Sequence, residues 1–378
     1  MTEPPKHFIA FNQDYACFAV AVKSGFRIYN VDPFQEMFQR SFPEGGIAII
    51  EMLFRSNILG IVAREADRSN LKTKLMIWDD HQNRSIGEIS FKTEIVGIRL
   101  SRENIIVILE KSVHLYDFRN FNLIHSMDTV DNKAGLCALA PIMSRQIIAC
   151  PGTLPGQLRV LASSPSSKSL TRPTSSPKAI SIVFIPAHTA ELAAVTLNPE
   201  GTLVATASTT GTIIRVFNTE TAALLHEMRR GTDQALIYSL CFDSSSSYVA
   251  CSSDKGTIHI FSLIAPAEVV VVDSEAAEEN GKSDTQASSS SLSMSVAAAA
   301  SSGFSSLFSG VRDVLPKFIT AERSYAQFRI PDCNTRNIVA FCGQDAIAVI
   351  TADSRYFKAN FANGGECSGV ISKRFGDW

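Results

Sequence analysis

The sequence predicts an all-β fold, a seven-bladed β-propeller of the WD-repeat type, from three observations. Short strand-like runs recur along the 378 residues, each rich in β-branched and aromatic residues or alternating apolar and polar ones. Successive runs start about 40–55 residues apart, the spacing of four-stranded propeller blades. Helical patterns are nearly absent before residue 265. The seven runs are FRIYNVD (26–32), LMIWDD (75–80), VHLYDF (113–118), QLRVLAS (157–163), TIIRVFNT (212–219), TIHIFSL (257–263) and RYFKANF (355–361).

Further strands precede several of these runs. The stretches LAAVTLNPEGTLVATASTTGT and IYSLCFDSSSSYVACSSDKGT each read as strand, turn, strand, turn, strand. A mixed α/β fold is disfavoured because helices are missing, and a two-sheet sandwich does not explain the regular spacing. Since a propeller closes on itself, we expect residues 1–378 to form a single domain.

Two loops interrupt the repeat. The last interval between runs is about twice the others, which predicts an insertion in blade 6 over residues 265–325. Its middle is acidic and Ser/Ala-rich and is expected to be disordered. A Ser/Pro-rich stretch, 163–178, is predicted to be a surface loop.

One part of the insertion, residues 303–319, differs from its surroundings. Its apolar residues recur at steps of three or four, which predicts an amphipathic segment that enters a lipid interface. A helix packed on the propeller, or a linker end, is the alternative. The residues expected to insert into the membrane are Phe304, Leu307, Phe308, Val311, Leu315 and Phe318.

Composition limits the classes of function. The net charge of −2 gives no overall attraction to nucleic acid, so no nucleic-acid partner is expected. The eight cysteines show no CxxC or zinc spacing and are expected in the core, with no metal or cofactor site. The start MTEPPKHF lacks a signal pattern and no run is long enough to span a membrane, which predicts a cytoplasmic protein. Catalytic motifs such as a P-loop or GxSxG are missing, so an enzyme is not expected.

Adjacent arginines mark the end of the extended stretch TIIRVFNTETAALLHEM. They are Arg229 and Arg230 of LLHEMRRGTDQ. Because neighbouring side chains of extended backbone point to opposite sides, one is expected to face back over blade 5 and the other forward over blade 6. Two plainer interpretations remain open. The arginines can be solvated or paired with Glu227 and Asp233, and SSDKGT can be a simple hairpin turn.

The run ATASTTGTIIRVFNTETAALLHEMRRGTD, followed by CSSDKGTIHIF, resembles the PROPPIN family, the seven-bladed propellers that bind phosphoinositides and include the WIPI proteins. FNQDYACFAVAVKSGFRIYNVDP and LPKFITAERSYAQFRIP extend the resemblance over nearly the whole chain. RRGTD and the compact ends are most similar to the WIPI branch with a Leu-Arg-Arg-Gly motif. Met228 stands here at the Leu position, where packing rather than charge matters.

The resemblance implies two headgroup sites for phosphatidylinositol 3-phosphate and phosphatidylinositol 3,5-bisphosphate. Guanidinium, hydroxyl and imidazole groups suit phosphate because they supply several donors. His188 and His259 are expected to gain protons near pH 6 and so to favour binding in acid. The first site would use His188, Ser208, Thr210, Thr212, Arg215 and Arg229, and the second would use Arg230, Ser253, Lys255, Thr257 and His259.

The resemblance also implies a biological role, an effector that recruits autophagy proteins to the forming autophagosome membrane. The protein would be cytoplasmic and recruited as a peripheral protein to preautophagosomal and to endosomal or vacuolar membranes. An expected partner is the rod-shaped lipid-transfer protein of autophagy, for which EMLFRSNILGIV in blade 2 is a candidate region. A protein-interaction scaffold without lipid binding is the main alternative, and an enzyme built on a propeller is a third.

Overall fold

The computed structural model describes residues 7–42, 46–64, 72–141, 146–163, 180–264, 321–333 and 335–376. In these ranges the chain forms strands and turns and no α-helix, so no described helix could cross a membrane. The strands form seven sheets of four or five strands each, and within every blade the first four strands pair antiparallel.

The first four blades take consecutive strands from the chain. Blade 1 contains β1 (Phe8–Phe11), β2 (Cys17–Val22), β3 (Gly25–Asn30) and β4 (Gln35–Ser41). Blade 2 contains β5 (Gly46–Met52), β6 (Ile58–Arg64), β7 (Lys74–Asp79) and β8 (Arg84–Ser90). Blade 3 contains β9 (Ile95–Leu100), β10 (Asn104–Leu109), β11 (Ser112–Asp117) and β12 (Leu123–Asp128). Blade 4 contains β13 (Ala138–Leu139), β14 (Ile147–Pro151), β15 (Gln157–Ser163) and β16 (Ile180–Pro186).

The last three blades follow the same order with one addition. Blade 5 contains β17 (Leu192–Leu197), β18 (Leu203–Ser208), β19 (Ile213–Asn218) and β20 (Leu224–Arg229). Blade 6 contains β21 (Ile237–Phe242), β22 (Tyr248–Ser253), β23 (Thr257–Ser262) and β24 (Ala326–Arg329). Blade 7 contains β25 (Asn337–Phe341), β26 (Ala346–Thr351), β27 (Arg355–Asn360) and, after β28 (Gly365–Glu366), β29 (Ser368–Arg374). The short β28 adds to blade 6 by pairing parallel with β24.

Burial along each blade explains its sequence pattern. The second strands β2, β10 and β26 are buried at every position, because neighbouring blades cover both of their faces. They accordingly read as continuous apolar runs rather than as alternating ones. The outer strand β29 is exposed along its whole length. The seven runs quoted above coincide with the third strands, which are partly covered.

Apolar clusters fill the space between successive blades. Seven such clusters are formed by the described residues, one for each of the seven blade interfaces. The cluster between blades 5 and 6 contains Ile214 and Met228 from one side and Phe242 and Phe261 from the other. A seventh cluster joins blade 7 to blade 1 and closes the ring. The prediction of a seven-bladed propeller is confirmed.

One local expectation is wrong. The stretch TIIRVFNTETAALLHEM is not one strand but a hairpin of β19 and β20. Asn218 accepts hydrogen bonds at Oδ1 from the amides of Glu220 and Thr221, both at 2.9 Å, and Ala222 has a positive φ of 60°. These contacts reverse the chain, so Arg229 ends the outer strand of blade 5.

The two predicted loops fall mainly outside the described residues. The structure describes nothing of 164–179 or 265–320, which include all six residues expected to enter the membrane. The chain divides into two compact units, one of Met1–Ile264 with Glu322–Trp378 and one of Ala265–Ala321. The loop assignments and the single-domain expectation therefore stay predictions.

Candidate functional site

The arginine pair lies where the outer strand of blade 5 ends. Arg229 pairs with Ile213 across the β19–β20 ladder, and Met228 pairs with Ile214. The amide of Arg230 donates to the carbonyl of Thr212 at 2.9 Å, so the backbone stays extended through both arginines. Successive side chains on such backbone face opposite sides of the sheet.

Packing on the two sides identifies where each arginine points. Met228 is fully buried in the cluster between blades 5 and 6, and Arg230, two residues on, follows it to that side. The Arg230 guanidinium donates from Nε to the Gly211 carbonyl at 2.6 Å and from Nη2 to the Asp233 carbonyl. Arg230 is only 8% exposed, whereas Arg229 is half-buried. The two arginines therefore occupy different surroundings.

The first predicted set gathers on the side of blade 5 that faces blade 4. His188 lies 3.0 Å from the Thr206 hydroxyl through Nε2. Arg215 donates from Nε to Glu227 at 2.8 Å and from Nη1 to the Ala187 carbonyl at 2.7 Å. Glu227 and Arg229 are two residues apart on β20 and share this side. With the described residues, the Arg229 side chain makes neither a hydrogen bond nor an ion pair.

Three hydroxyl residues of this set surround the β18–β19 turn. Ser208 is buried and its carbonyl accepts from the Gly211 amide at 2.9 Å, while Thr210 is exposed and Thr212 half-buried. Gly211 has a φ of +66°, and a Cβ there would lie 1.8 Å from the Ala235 carbonyl oxygen. Within the described part of the chain none of the three hydroxyl groups makes a hydrogen bond.

The second predicted set lies on blade 6. His259 is 8% exposed and its Nδ1 is 2.9 Å from the Ser324 hydroxyl. Ser253 is fully buried and its hydroxyl accepts from the Lys255 amide at 3.4 Å. Lys255 is exposed at the tip of the turn and Thr257 is half-buried at the start of β23. SSDKGT is therefore a tight turn, and both of its charged residues, Asp254 and Lys255, are exposed.

Burial changes the expected protonation of the two histidines. Burial lowers the pKa of His188 to about 4, with a further contribution from Arg215. Burial likewise lowers the pKa of His259 to about 4, and Arg230 adds to the effect. The expectation that both imidazoles gain protons near pH 6 is wrong for the free protein, because each is desolvated beside a cation.

Several contacts of the arginines and of His188 were not predicted from the sequence. The acid Glu227 pairs with Arg215 rather than with either adjacent arginine, and Asp233 offers Arg230 only its main-chain oxygen. Thr206, which touches His188, lies two residues before Ser208 on the same strand and shares its side, a signal that alternation could have provided.

The chain returning after the insertion also contributes. Glu322 accepts at its carbonyl from the Arg229 amide at 2.7 Å and donates from its own amide to the Glu227 carbonyl at 3.0 Å. The Glu322 carboxylate lies 3.0 Å from His226 Nδ1. Ser324, two residues on, reaches His259. No local pattern could place these residues, because between 65 and 96 positions separate them from the histidines that they touch.

Metal binding finds no support in the described ranges. They contain no group of three or more His, Cys, Asp or Glu side chains arranged for a metal ion. Seven of the eight cysteines are buried, and burial raises the pKa of the Cys251 thiol to about 12. The Cys251 thiol therefore stays protonated in the core.

A comparison with family models matches residues 6–372 to the model described as PROPPIN. The chain belongs to the PROPPIN family. Relatives of this PROPPIN include autophagy-related protein 18e of Arabidopsis thaliana, 32% identical over 97% of this chain and 87% of that protein. Autophagy-related protein 18 of Yarrowia lipolytica is 32% identical over 96% of this chain and 94% of that protein. Neither carries an enzyme's name.

Solved structures agree with the fold. Kluyveromyces lactis Hsv2 with a complete loop 6CD superposes with a TM-score of 0.70 at 22% identity, covering 99% of each chain. A complex of KlAtg21 with the coiled-coil of AgAtg16 superposes with a TM-score of 0.65 at 23% identity, covering 99% of this chain and 100% of that one. At these identities the structures support the shared propeller architecture.

Proposed function

We propose that this PROPPIN is a phosphoinositide effector that recruits autophagy machinery to the forming autophagosome membrane. Its ligands are phosphatidylinositol 3-phosphate and phosphatidylinositol 3,5-bisphosphate, bound at two sites flanking Arg229 and Arg230. One observation carries the proposal: two adjacent arginines of extended backbone lie on opposite sides of the sheet, and hydroxyl and imidazole residues are present on each side. The autophagy-related names of its relatives support the role in recruitment.

At the first site, donors converge on the side facing blade 4. Arg229 has a guanidinium without a described partner, and Ser208, Thr210 and Thr212 add hydroxyl groups around the neighbouring turn. Guanidinium binds phosphate through paired hydrogen bonds, and hydroxyl donors add contacts without adding charge. Arg215 is neutralised by Glu227, so in this proposal it contributes hydrogen bonds more than net charge.

At the second site, Arg230 has N–H donors that its described contacts do not use. A guanidinium carries five N–H groups, and two of those in Arg230 serve main-chain carbonyls. These bonds fix the plane of the group beside His259, which suits a phosphate that needs ordered donors. Lys255 at the exposed turn adds a mobile ammonium over the same blade.

Membrane retention adds a third contact in this proposal. The predicted amphipathic segment 303–319 lies between β23 and β24, the third and fourth strands of blade 6. Burying one Phe or Leu at a lipid interface stabilises binding by about 1.5–3 kcal/mol before ordering costs. Two headgroup sites and one inserting segment on a single protein combine through effective concentration. We infer a cytoplasmic protein recruited to preautophagosomal and to endosomal or vacuolar membranes.

A protein partner fits the same role. The related KlAtg21 has been solved with a coiled-coil of AgAtg16, which favours a propeller surface used for protein binding. For this chain we propose the lipid-transfer protein of autophagy as a partner. A scaffold propeller without lipid binding is the second candidate function.

Vesicle flotation separates the two candidates. Wild type is expected to float with vesicles containing phosphatidylinositol 3-phosphate, and a variant with Arg229→Thr and Arg230→Thr is expected to stay at the bottom. Arg119→Thr is a matched control, because Arg119 is an exposed arginine of blade 3. A thermal melt of each variant must show an intact propeller. Equal flotation of the double variant and wild type would overturn the assignment and favour the scaffold.

A second arm of the same experiment tests the insertion. Replacing residues 303–319 by a Gly-Ser linker is expected to reduce flotation and to leave binding of soluble inositol 1,3-bisphosphate unchanged. Loss of both would assign the segment a structural role instead.

A further inference from the structure

Blade 4 contains an arginine, Arg159, that is placed in the same way as Arg215 of blade 5. Arg159 is the third residue of β15, as Arg215 is the third residue of β19. Arg159 donates from Nη1 to the Asp128 carbonyl at 3.0 Å, and Arg215 does the same to the Ala187 carbonyl at 2.7 Å. Each acceptor lies at the end of the outer strand of the preceding blade. His259 is the third residue of β23 and continues the series into blade 6.

The turns before these strands also correspond. Gly156, Gly211 and Gly256 precede β15, β19 and β23, and their φ angles are 70°, 66° and 73°. Arg159, Arg215 and His259 therefore lie at the same end of three consecutive blades.

The two arginines differ in the charge of the residue that stands opposite each of them. Glu227 stands opposite Arg215 in the ladder and neutralises it, whereas Phe184 stands opposite Arg159. The Arg159 guanidinium lies 5.3 Å from the centroid of the Phe184 ring. No ion pair joins Arg159 to any described carboxylate, and Asp128 offers only its main-chain oxygen. A buried cation without a counter-charge is costly, and an anion placed there would offset that cost.

Three buried polar side-chain atoms of Arg159 and its neighbours have no hydrogen-bond partner among the described residues. Arg159 Nε, Thr129 Oγ1 and Gln157 Oε1 are all buried without a hydrogen bond. Thr129 follows Asp128, and Gln157 lies two residues before Arg159 on the same side of β15.

Gly152 contacts both the segment that follows Thr129 and the side chain of Gln157. Its carbonyl accepts from the Val130 amide at 2.8 Å, and a Cβ on Gly152 would lie 2.3 Å from Gln157 Oε1. Thr129, Gln157 and Arg159 therefore form one group between blades 3 and 4, which we call the blade 4 polar cluster.

We propose that the blade 4 polar cluster is a third anion site, for a phosphate monoester of a polyol. Arg159 and the Thr129 hydroxyl donate to phosphate oxygens, and Gln157 Oε1 accepts from a neighbouring hydroxyl of the polyol. Arg159 is 8% exposed, the same fraction as Arg230 and His259. The exposed ring of Phe184 forms its outer wall.

Titration calorimetry with soluble inositol 1,3-bisphosphate tests the proposal in the full chain. The variant with Arg229→Thr and Arg230→Thr is expected to retain one binding event per chain. Adding Arg159→Gln is expected to weaken that event by about tenfold or more. Thr129→Val keeps the side-chain shape and is expected to weaken the residual binding several-fold. This variant replaces Arg159→Gln in the test if Arg159→Gln does not fold. Arg119→Gln is the control and should bind as its parent does.

A double variant with no residual binding overturns the proposal, as does residual binding that Arg159→Gln and Thr129→Val leave unchanged. Flotation of the single variant Arg159→Gln identifies the source of the phosphate. Reduced flotation on vesicles with phosphatidylinositol 3-phosphate indicates a lipid headgroup, and unchanged flotation with lost solution binding indicates a soluble inositol phosphate.

Discussion

At the scale of single residues, the two adjacent arginines differ in what they do for the fold. Arg230 is buried and holds two main-chain carbonyls together, whereas Arg229 has no described side-chain partner. Exchanging Arg230 removes a structural contact as well as a donor for a ligand. A binding assay on Arg230 variants therefore has meaning only beside a measurement of their stability.

The two buried histidines make stability depend on pH. In the folded protein the pKa values of His188 and His259 are about 4, below the ordinary value of about 6.5 in an unfolded chain. Between these values the unfolded chain binds protons that the folded chain does not. The free energy of unfolding is therefore expected to fall as pH drops from 6.5 toward 4, by at most about 1.4 kcal/mol per pH unit for each histidine.

Urea unfolding at pH 7 and pH 5 measures this dependence. His259→Asn is expected to flatten it, and His81→Asn should leave it as in wild type because His81 is exposed. A pH dependence that His188→Asn and His259→Asn both leave untouched would contradict the lowered pKa values.

At the scale of elements, the turn between β18 and β19 fixes the position of Arg230. The Gly211 carbonyl accepts from Arg230 Nε, and its left-handed φ leaves no room for a Cβ against Ala235. Gly211→Ala is expected to lower the free energy of unfolding by about 2–4 kcal/mol. Gly231→Ala is the matched control and should change it by less than about 0.5 kcal/mol, because nothing lies within 4 Å of its added Cβ. Equal effects in chemical denaturation would argue against the strained turn.

Sequence patterns at this scale were informative only where contacts are local. The seven third strands were predictable, because alternation and β-branched residues report half-covered strands. The reversal at Asn218 was missed, because TETAALL carries no glycine or proline to mark the turn. Glu322 and Ser324 were not predictable as neighbours of Arg229 and His259, since register across an insertion is decided by tertiary packing.

At the scale of the whole molecule, the described strands close the ring without one strand being shared between the first and last blades. The first four strands of blade 1 are consecutive, and blade 7 is built entirely from the C-terminal part of the chain. The period of the repeat predicted the number of blades but could not reveal this mode of closure, which depends on side chains far apart in sequence.

Closure rests on an aromatic cluster between blades 1 and 7. The rings of Phe34 and Tyr356 stack with centroids 4.4 Å apart, and the Tyr356 hydroxyl donates to the Val31 carbonyl at 3.0 Å. Phe34→Ala is expected to lower the free energy of unfolding by about 1–3 kcal/mol, since it removes the stacking contacts of a partly buried ring. Phe38→Ala is the control, because Phe38 lies on the outer strand of the same blade and is 39% exposed.

Hydrogen exchange locates the effect of the Phe34 substitution. If side chains hold the ring shut, amides of β2, β3, β26 and β27 should exchange faster in Phe34→Ala, while those of β10 and β11 in blade 3 keep their protection. Since neighbouring blades cover the apolar faces of each sheet, opening the seam exposes blades 1 and 7 first. A uniform increase across all blades would instead mean that the propeller opens as one cooperative unit and that this seam is not its weakest interface.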